Sequence, residues 1–104
     1  MSEFIQVRAG TIDPIDFQCV LNEEPAPLGS PTLIELTRIR MDTKTTLSNV
    51  TLTVQDAALG KVRWTPTPGQ IVLSAQGYEV TVVVTGGTNP GTYPTHGYAY
   101  VGVI

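Results

Sequence analysis

Hydrophobic side chains occupy every second position in several short segments of this chain. The alternation is clearest over residues 15–21, 50–54, 62–64 and 78–84, where polar residues fill most of the places between. Because successive side chains leave a β-strand on opposite faces, a period of two predicts half-buried strands. Glycine, proline, asparagine and aspartate cluster between these segments, which is typical of a small all-β sandwich or barrel.

The same pattern over the whole chain predicts about seven main strands, at 4–8, 15–21, 32–41, 47–55, 61–65, 77–85 and 98–104. The apolar phase changes within the third of these strands, which predicts either a β-bulge near Thr37 or a strand covered on both faces. Residues 22–31 hold three prolines and a glycine, which favours an extended loop. A flexible loop is expected at 86–92, and segment 71–74 fits either a short strand or one helical turn.

Seven strands in about 100 residues are typical of an immunoglobulin-like β-sandwich. We therefore predict one all-β domain of this kind over residues 1–104. The residues on the inward phases predict its core, which comprises Phe17, Cys19, Leu21, Val50, Leu52, Val54, Val62, Trp64, Tyr78, Val80, Val82 and Val84.

Composition narrows the classes of function. Of the 104 residues 41% are hydrophobic, which fits one modest core and is too high for a disordered chain. Only 14% are charged and the net charge is −3, which argues against binding to nucleic acid or to an anionic membrane. Two of the few cations, Arg38 and Arg40, fall on one face of a predicted strand, where ion pairing is expected. No apolar run approaches the ~20 residues of a membrane span, and the first residues lack a signal-peptide pattern, so synthesis in a cytoplasm is expected.

The residues that could carry chemistry are few and isolated. Cys19 has an inward phase and is predicted to be a small buried hydrophobic residue, not a nucleophile. His96, the only histidine, lies in a loop, and with one cysteine it cannot supply the about four ligands of a structural zinc site. Asp13 and Asp16 flank a turn and lack the spacing of a calcium loop. We therefore expect no enzymatic activity, no cofactor and no metal.

The last predicted strand carries apolar residues on both faces. One face holds Tyr98, Tyr100 and Ile104, and the other holds Ala99, Val101 and Val103. If one of these faces meets water, an apolar stripe there predicts a protein contact surface or an edge open to strand addition. Val20 and Val83, on outward phases of their own strands, are further candidates for this interface. The alternative is a central strand whose outer face is covered by loop 22–31.

Aromatic residues support a second hypothesis. Trp64 and Tyr78 share the phase of core residues, but Tyr93, Tyr98 and Tyr100, together with the 86–97 loop, could stack on a sugar. A carbohydrate-binding module is therefore an alternative to a protein-docking module.

Several short motifs, taken in order, resemble a known family. They are Pro14-Ile15-Asp16-Phe17-Gln18, Ala26-Pro27-Leu28, the turn at 54–62, Gly77-Tyr78-Glu79-Val80, and Tyr93-Pro94-Thr95-His96-Gly97-Tyr98 followed by Val101 and Val103. Their order and spacing resemble the immunoglobulin-like domain found at the N-terminus of phage baseplate upper proteins and in short standalone phage proteins. The resemblance covers nearly all of the chain, although loop 22–31 is richer in proline than the family pattern.

This resemblance implies a non-enzymatic structural protein of a phage virion. The expected role is a tail, baseplate or fibre-attachment component that docks onto other virion proteins in a multi-copy symmetric assembly. A capsid decoration or cement protein, or a head–tail protein of the same fold, is the alternative placement. The expected location is the virion, after synthesis in the host cytoplasm.

Overall fold

Every regular element in the described part of the chain is a β-strand. The structure, a computed structural model, describes residues 3–72, 76–94 and 99–104. The strands are β1 (Glu3–Val7), β2 (Ile15–Gln18), β3 (Val20–Leu21), β4 (Glu24–Pro25), β5 (Pro31–Arg40), β6 (Thr45–Thr46), β7 (Val50–Thr51), β8 (Thr53–Asp56), β9 (Lys61–Trp64), β10 (Tyr78–Gly86), β11 (Gly91–Tyr93) and β12 (Ala99–Val103). The predicted all-β sandwich is confirmed. Twelve strands replace the predicted seven because two predicted strands are divided and three short strands, β4, β6 and β11, are added.

The strands form three sheets. A seven-stranded sheet, called the large sheet, has the order β1-β12-β10-β5-β6, with β11 also paired to β10 and β7 also paired to β5. A three-stranded sheet, called the small sheet, has the order β2-β9-β8, and β3 and β4 form a hairpin of their own. Among the described strands all pairs are antiparallel except that of β1 and β12, which is parallel. The large and small sheets enclose the core between them.

Alternation along the long strands places one apolar face inward. In β10, burial alternates residue by residue from Tyr78 to Val84, as a sheet with one solvated face requires. The predicted core is confirmed for Phe17, Cys19, Leu52, Val62, Trp64, Tyr78, Val80, Val82 and Val84. Val50 is half-buried and packs against this cluster.

The predicted core residue Leu21 is instead exposed, at 38%. The predicted strand 15–21 ends at Gln18, and its remaining residues belong to the β3–β4 hairpin, in which Leu21 pairs with Glu24. Asn22 and Glu23 form the turn with positive φ angles of 53° and 66°. This turn directs Leu21 away from the space between the two sheets.

The predicted core residue Val54 is also exposed, at 40%. The predicted strand 47–55 is divided because the chain passes from one sheet to the other at Leu52. Before that residue β7 pairs with β5 in the large sheet, and after it β8 pairs with β9 in the small sheet. A change of sheet reverses which side of the strand faces the core, so a single alternation cannot hold across Leu52.

The predicted bulge near Thr37 is wrong. β5 pairs with β10 in unbroken register from Leu33 to Arg40, and the register shift lies between Thr85 and Gly86. The inward phase of β5 holds Ile34, Leu36 and a buried Arg38, so the apparent change of phase comes from a charged residue at a core position. The outer face of β5 is only partly covered.

Loop 22–31 closes one end of the sandwich. It contains the short strand β4, and beyond it Ala26 and Leu28 are buried, with 1% and 0% exposure. The Leu28 N–H donates to the Ala57 carbonyl at 2.8 Å. Loop 22–31 therefore packs against the core through Ala26 and Leu28 rather than extending into solvent.

The predicted flexible loop at 86–92 is shorter than expected. β10 extends to Gly86, and β11 (Gly91–Tyr93) returns to pair with β10 through Tyr93 and Val82. Of segment 71–74 the structure describes only Ile71 and Val72, which lie in neither a strand nor a helix. His96 and Tyr98 lie outside the described residues.

Candidate functional site

The final strand is an interior strand of the large sheet, not an edge. β12 lies between β1 and β10, and its Ala99, Val101 and Val103 point into the core with exposures of 7%, 0% and 7%. The prediction that these three residues form an outer contact stripe is therefore wrong. Both backbone edges of β12 are paired, one with β1 and the other with β10. The more apolar of its two faces is the one that packs into the core.

The other two predicted interface residues lie on different parts of the surface. Val83 is half-buried on the outward side of β10, whereas Val20 is half-buried in the β3–β4 hairpin. They do not belong to the same sheet. Of the predicted interface set, only Val83 lies on the outer face of the large sheet, which we define as the outward side chains of β1, β12, β10 and β5.

One row of residues crosses this outer face. Phe4 pairs with Tyr100, Tyr100 with Glu79, and Glu79 with Ile39. Neighbouring strands lie about 4.8 Å apart, so the row spans about 15 Å. Phe4 is 67% exposed, and Tyr100 and Ile39 are half-buried. The row therefore offers apolar surface at both ends with a carboxylate between them.

A second apolar area lies further along the same face. Val83 pairs with Glu35, and Leu33, which is 40% exposed, pairs with Thr85. Among the outward residues of the four defining strands that the structure describes, the charged ones are Glu35 and Glu79 and none is basic. The outer face is thus apolar and acidic.

Phe4 is held against the sheet by a glycine. Its ring lies over Gly102 of β12, where an added Cβ would come 2.6 Å from the ring Cζ atom. A larger residue at 102 would therefore lift the ring away from the sheet. The aromatic ring covers a position that has no side chain of its own, a device that also stabilises glycine-containing strands. Phe4 therefore lies over Gly102 and still exposes 67% of its surface.

The outer face of the small sheet differs in character. Asp16 on β2 and Arg63 on β9 form an ion pair, with 2.7 Å between Oδ1 and Nε. The hydrogen bond from Arg63 lowers the pKa of Asp16. Both side chains are substantially exposed, so the pair contributes little to stability. This face is polar and solvated, in contrast to the outer face of the large sheet.

The predicted sugar platform is only partly accessible. Tyr93 is 4% exposed, and its hydroxyl donates to the Asn89 carbonyl at 2.9 Å, so it belongs to the core and cannot stack on a sugar. Tyr100 is half-buried on the outer face. Tyr98 is not among the described residues. The prediction that Tyr93 lines a binding platform is wrong because its strand, β11, pairs back onto β10.

The two arginines of β5 have different environments. Arg40 pairs with Asp42, with 2.8 Å between Nε and Oδ1, as expected for an arginine on a strand face. Arg38 instead lies in the core at 5% exposure, with its guanidinium 5.3 Å from the centroid of the Trp64 ring. Its Nη2 donates to the Ser48 carbonyl at 2.8 Å, while its buried Nε has no hydrogen-bond partner. Burial lowers the pKa of Arg38.

The potential chemical groups occupy structural positions. Cys19 is fully buried, and burial raises the pKa of its thiol to about 11. Within residues 3–72, 76–94 and 99–104, no three His, Cys, Asp or Glu side chains are grouped to hold a metal ion. In the same ranges no helix is long and apolar enough to cross a membrane.

Comparison with known proteins leaves the family open. No family model, no curated protein and no solved structure matches this chain. The resemblance to the phage baseplate domain therefore stays a prediction from the motifs.

Proposed function

We propose that this protein is a non-enzymatic structural protein of a phage virion that docks onto other virion proteins through the outer face of the large sheet. The observation that supports this most directly is the exposed Phe4, which lies over Gly102 at one end of the row that crosses the outer face. A large aromatic side chain on a rigid sheet loses little conformational entropy on binding, and such residues are common energetic anchors of interfaces.

The charge of the outer face defines the chemistry of the partner. Glu35 and Glu79 lie among the apolar residues of the face. A partner surface that offers an apolar pocket for Phe4 and basic side chains around it would complement both features. The same acids disfavour packing of this face against the same face of another copy.

Placement in the tail, baseplate or fibre attachment follows from the motif resemblance, and a capsid decoration, cement or head–tail role is the alternative. A rigid sandwich suits either placement, since symmetric assemblies present many copies and make weak single contacts effective. The carbohydrate-binding alternative loses support because Tyr93 is buried.

Incorporation into particles tests the proposal. A phage lacking this gene would be complemented with Phe4→Ser or Glu79→Lys, and the number of copies per purified particle would be measured by quantitative mass spectrometry. Ile12→Ser and Glu24→Lys are matched controls, because both residues are exposed and lie outside the outer face. We expect each outer-face variant to lower incorporation at least about tenfold, the effect of about 1.4 kcal/mol at an anchor.

The controls should be incorporated as well as the original chain. Normal incorporation of both outer-face variants would show that this face is not the docking surface. Absence of the original chain from purified particles would overturn the virion assignment itself. Labelled antibody in electron micrographs of particles would then distinguish tail from capsid placement.

A further inference from the structure

Within the described ranges, the first strand leaves one backbone edge of the large sheet open. The Val7 carbonyl accepts from the Ile104 N–H at 2.9 Å, so the backbone groups of Ile5 and Val7 point toward β12. The N–H and C=O groups of Phe4 and Gln6 therefore point the other way, where no described strand pairs with β1. A groove of about 300 Å³ runs beside this edge, with Gln6, Val7 and Ile15 among its lining residues.

The other described strand edges carry features that hinder pairing. β6 and β7 have two residues each and β11 has three. β8 carries a register shift between Val54 and Asp56, and β2 carries the charged Asp16. β1 has five residues in regular register, with neither proline nor a charged residue from Phe4 to Val7. Short length, bulges and charges are the usual protection of an edge, and apart from Glu3 at its first position β1 lacks them.

We propose that two copies of this chain associate by antiparallel pairing of their β1 edges about a two-fold axis between the two Ile5 residues. In this register Phe4 of each copy lies opposite Gln6 of the other, and each such pair exchanges two hydrogen bonds. All four outward backbone groups of each strand are then satisfied. The two Ile5 residues form the close, non-hydrogen-bonded pair at the centre.

Charge and side-chain chemistry favour a second copy as the occupant. The segment from Phe4 to Arg8 contains no acid, and the one acid of β1, Glu3, falls opposite Val7 of the second copy and not opposite another acid. Two acidic chains can therefore approach there, whereas face-to-face packing would bring their outer-face glutamates together. Arg8 is exposed and takes part in neither of the ion pairs that the described residues form. In the proposed register Arg8 lies diagonal to Phe4 of the second copy, within reach of a cation–π contact on the solvent side.

The symmetry limits the assembly to a dimer. A two-fold pairing uses the β1 edge of both copies and leaves none free, so it closes and does not grow into a fibre. A five-residue ladder buries less than the about 1,200 Å² of a stable standard interface, so the dimer forms at high concentration. This pairing requires no partner protein and uses the backbone edge of β1, whereas the docking proposed above uses the outer face; the two share only the side chain of Phe4.

Sedimentation equilibrium of the full chain tests the pairing. We expect the average mass to rise from 11.1 kDa toward twice that value between about 10 μM and about 1 mM, the range for a weak interface. Gln6→Pro removes an N–H that faces away from β12 and should hold the mass at one copy throughout. Gln6→Ala keeps that N–H and should associate like the original chain. Circular dichroism would establish that each variant is folded.

A second variant keeps the test decisive if Gln6→Pro does not fold. Phe4→Lys leaves the backbone edge intact but places like charges beside Arg8 of the other copy, and it should reduce the dimer fraction severalfold. A single-copy mass for the original chain up to about 1 mM would overturn the proposal. Undiminished association of Gln6→Pro, or of Phe4→Lys where Gln6→Pro does not fold, would overturn it too.

Discussion

Replacing Arg38 with methionine should leave the protein as stable as before or make it more stable. The arginine occupies a core position on β5, with its Nε buried and without a hydrogen-bond partner. No carboxylate in the described residues pairs with it. Methionine is unbranched, of similar length and apolar, and its sulfur contacts aromatic rings favourably, so it can replace the arginine against Trp64.

The magnitude follows from the contacts that Arg38 makes and those that it lacks. The stacking on Trp64 contributes up to about 2 kcal/mol and the charged hydrogen bond to Ser48 about 1.5–3 kcal/mol. Burying the guanidinium costs several kcal/mol, and the unpaired Nε adds about 1–3 kcal/mol. Because Ser48 is exposed, water can replace the lost donor. We expect Arg38→Met to raise the free energy of unfolding by between about 0 and 1.5 kcal/mol.

Urea and thermal unfolding measure this change, followed by far-ultraviolet circular dichroism and by fluorescence of Trp64, the only tryptophan. Each 1 kcal/mol should move the melting temperature of a domain of this size by about 4–8 °C. The matched variant Arg38→Ala removes the side-chain stem as well as the charge and should destabilise by about 2–3 kcal/mol. If Arg38→Met destabilises the protein as much as Arg38→Ala does, the buried charge is a net stabiliser and our reasoning is wrong.

Two further predictions concern the turn at Gly60 and the thiol of Cys19. Gly60→Ala should lower the free energy of unfolding, measured in urea, by about 2–4 kcal/mol. The φ angle of Gly60 is +68°, and an added Cβ would lie 2.6 Å from the Ala26 carbonyl oxygen and 2.7 Å from that of Cys19. Gly69→Ala, also at positive φ but with nothing within 4 Å, should cost only about 1 kcal/mol, and equal losses would refute the steric argument. Since burial raises the pKa of Cys19 from 9.0 to about 11, its contribution to stability should be intact below pH 9 and decline as pH rises toward 11. Urea unfolding at a series of pH values should show that the free energy of unfolding declines less between pH 9 and 11 for Cys19→Ala than for the original chain. The same decline in both proteins would contradict this.

The strands could be predicted from sequence where one alternation lies within one sheet. β10 keeps the same neighbours along most of its length, so its pattern from Tyr78 to Val84 identified the inward face correctly. Prediction of core residues from alternation failed where the chain changes the strand with which it pairs. This happens at Leu52, between the two sheets, and at Cys19, before the β3–β4 hairpin. A change of partner depends on contacts distant in sequence, and local periodicity carries no information about it.

The candidate site could be predicted less well than the fold. The apolar stripe of β12 was visible, but both of its faces are apolar, and only the pairing with β1 and β10 shows which one is inside. Phe4 was predicted to lie in a strand, but the position of its ring on the outer face depends on Gly102, which is distant in sequence. The position of Arg38 had no local signal either, because its place in the core depends on Trp64 of the opposite sheet.

The parallel pairing of β1 with β12 has a consequence for biosynthesis. Glu3 pairs with Ala99, 96 positions later, so β1 leaves the ribosome well before the strand with which it pairs. At about 5–20 residues per second this delay is roughly 5–20 s, far longer than a hairpin takes to form. During this interval the backbone groups on both edges of β1 have no strand partner. Chaperones that bind extended apolar segments can therefore bind β1 until β12 has been synthesised.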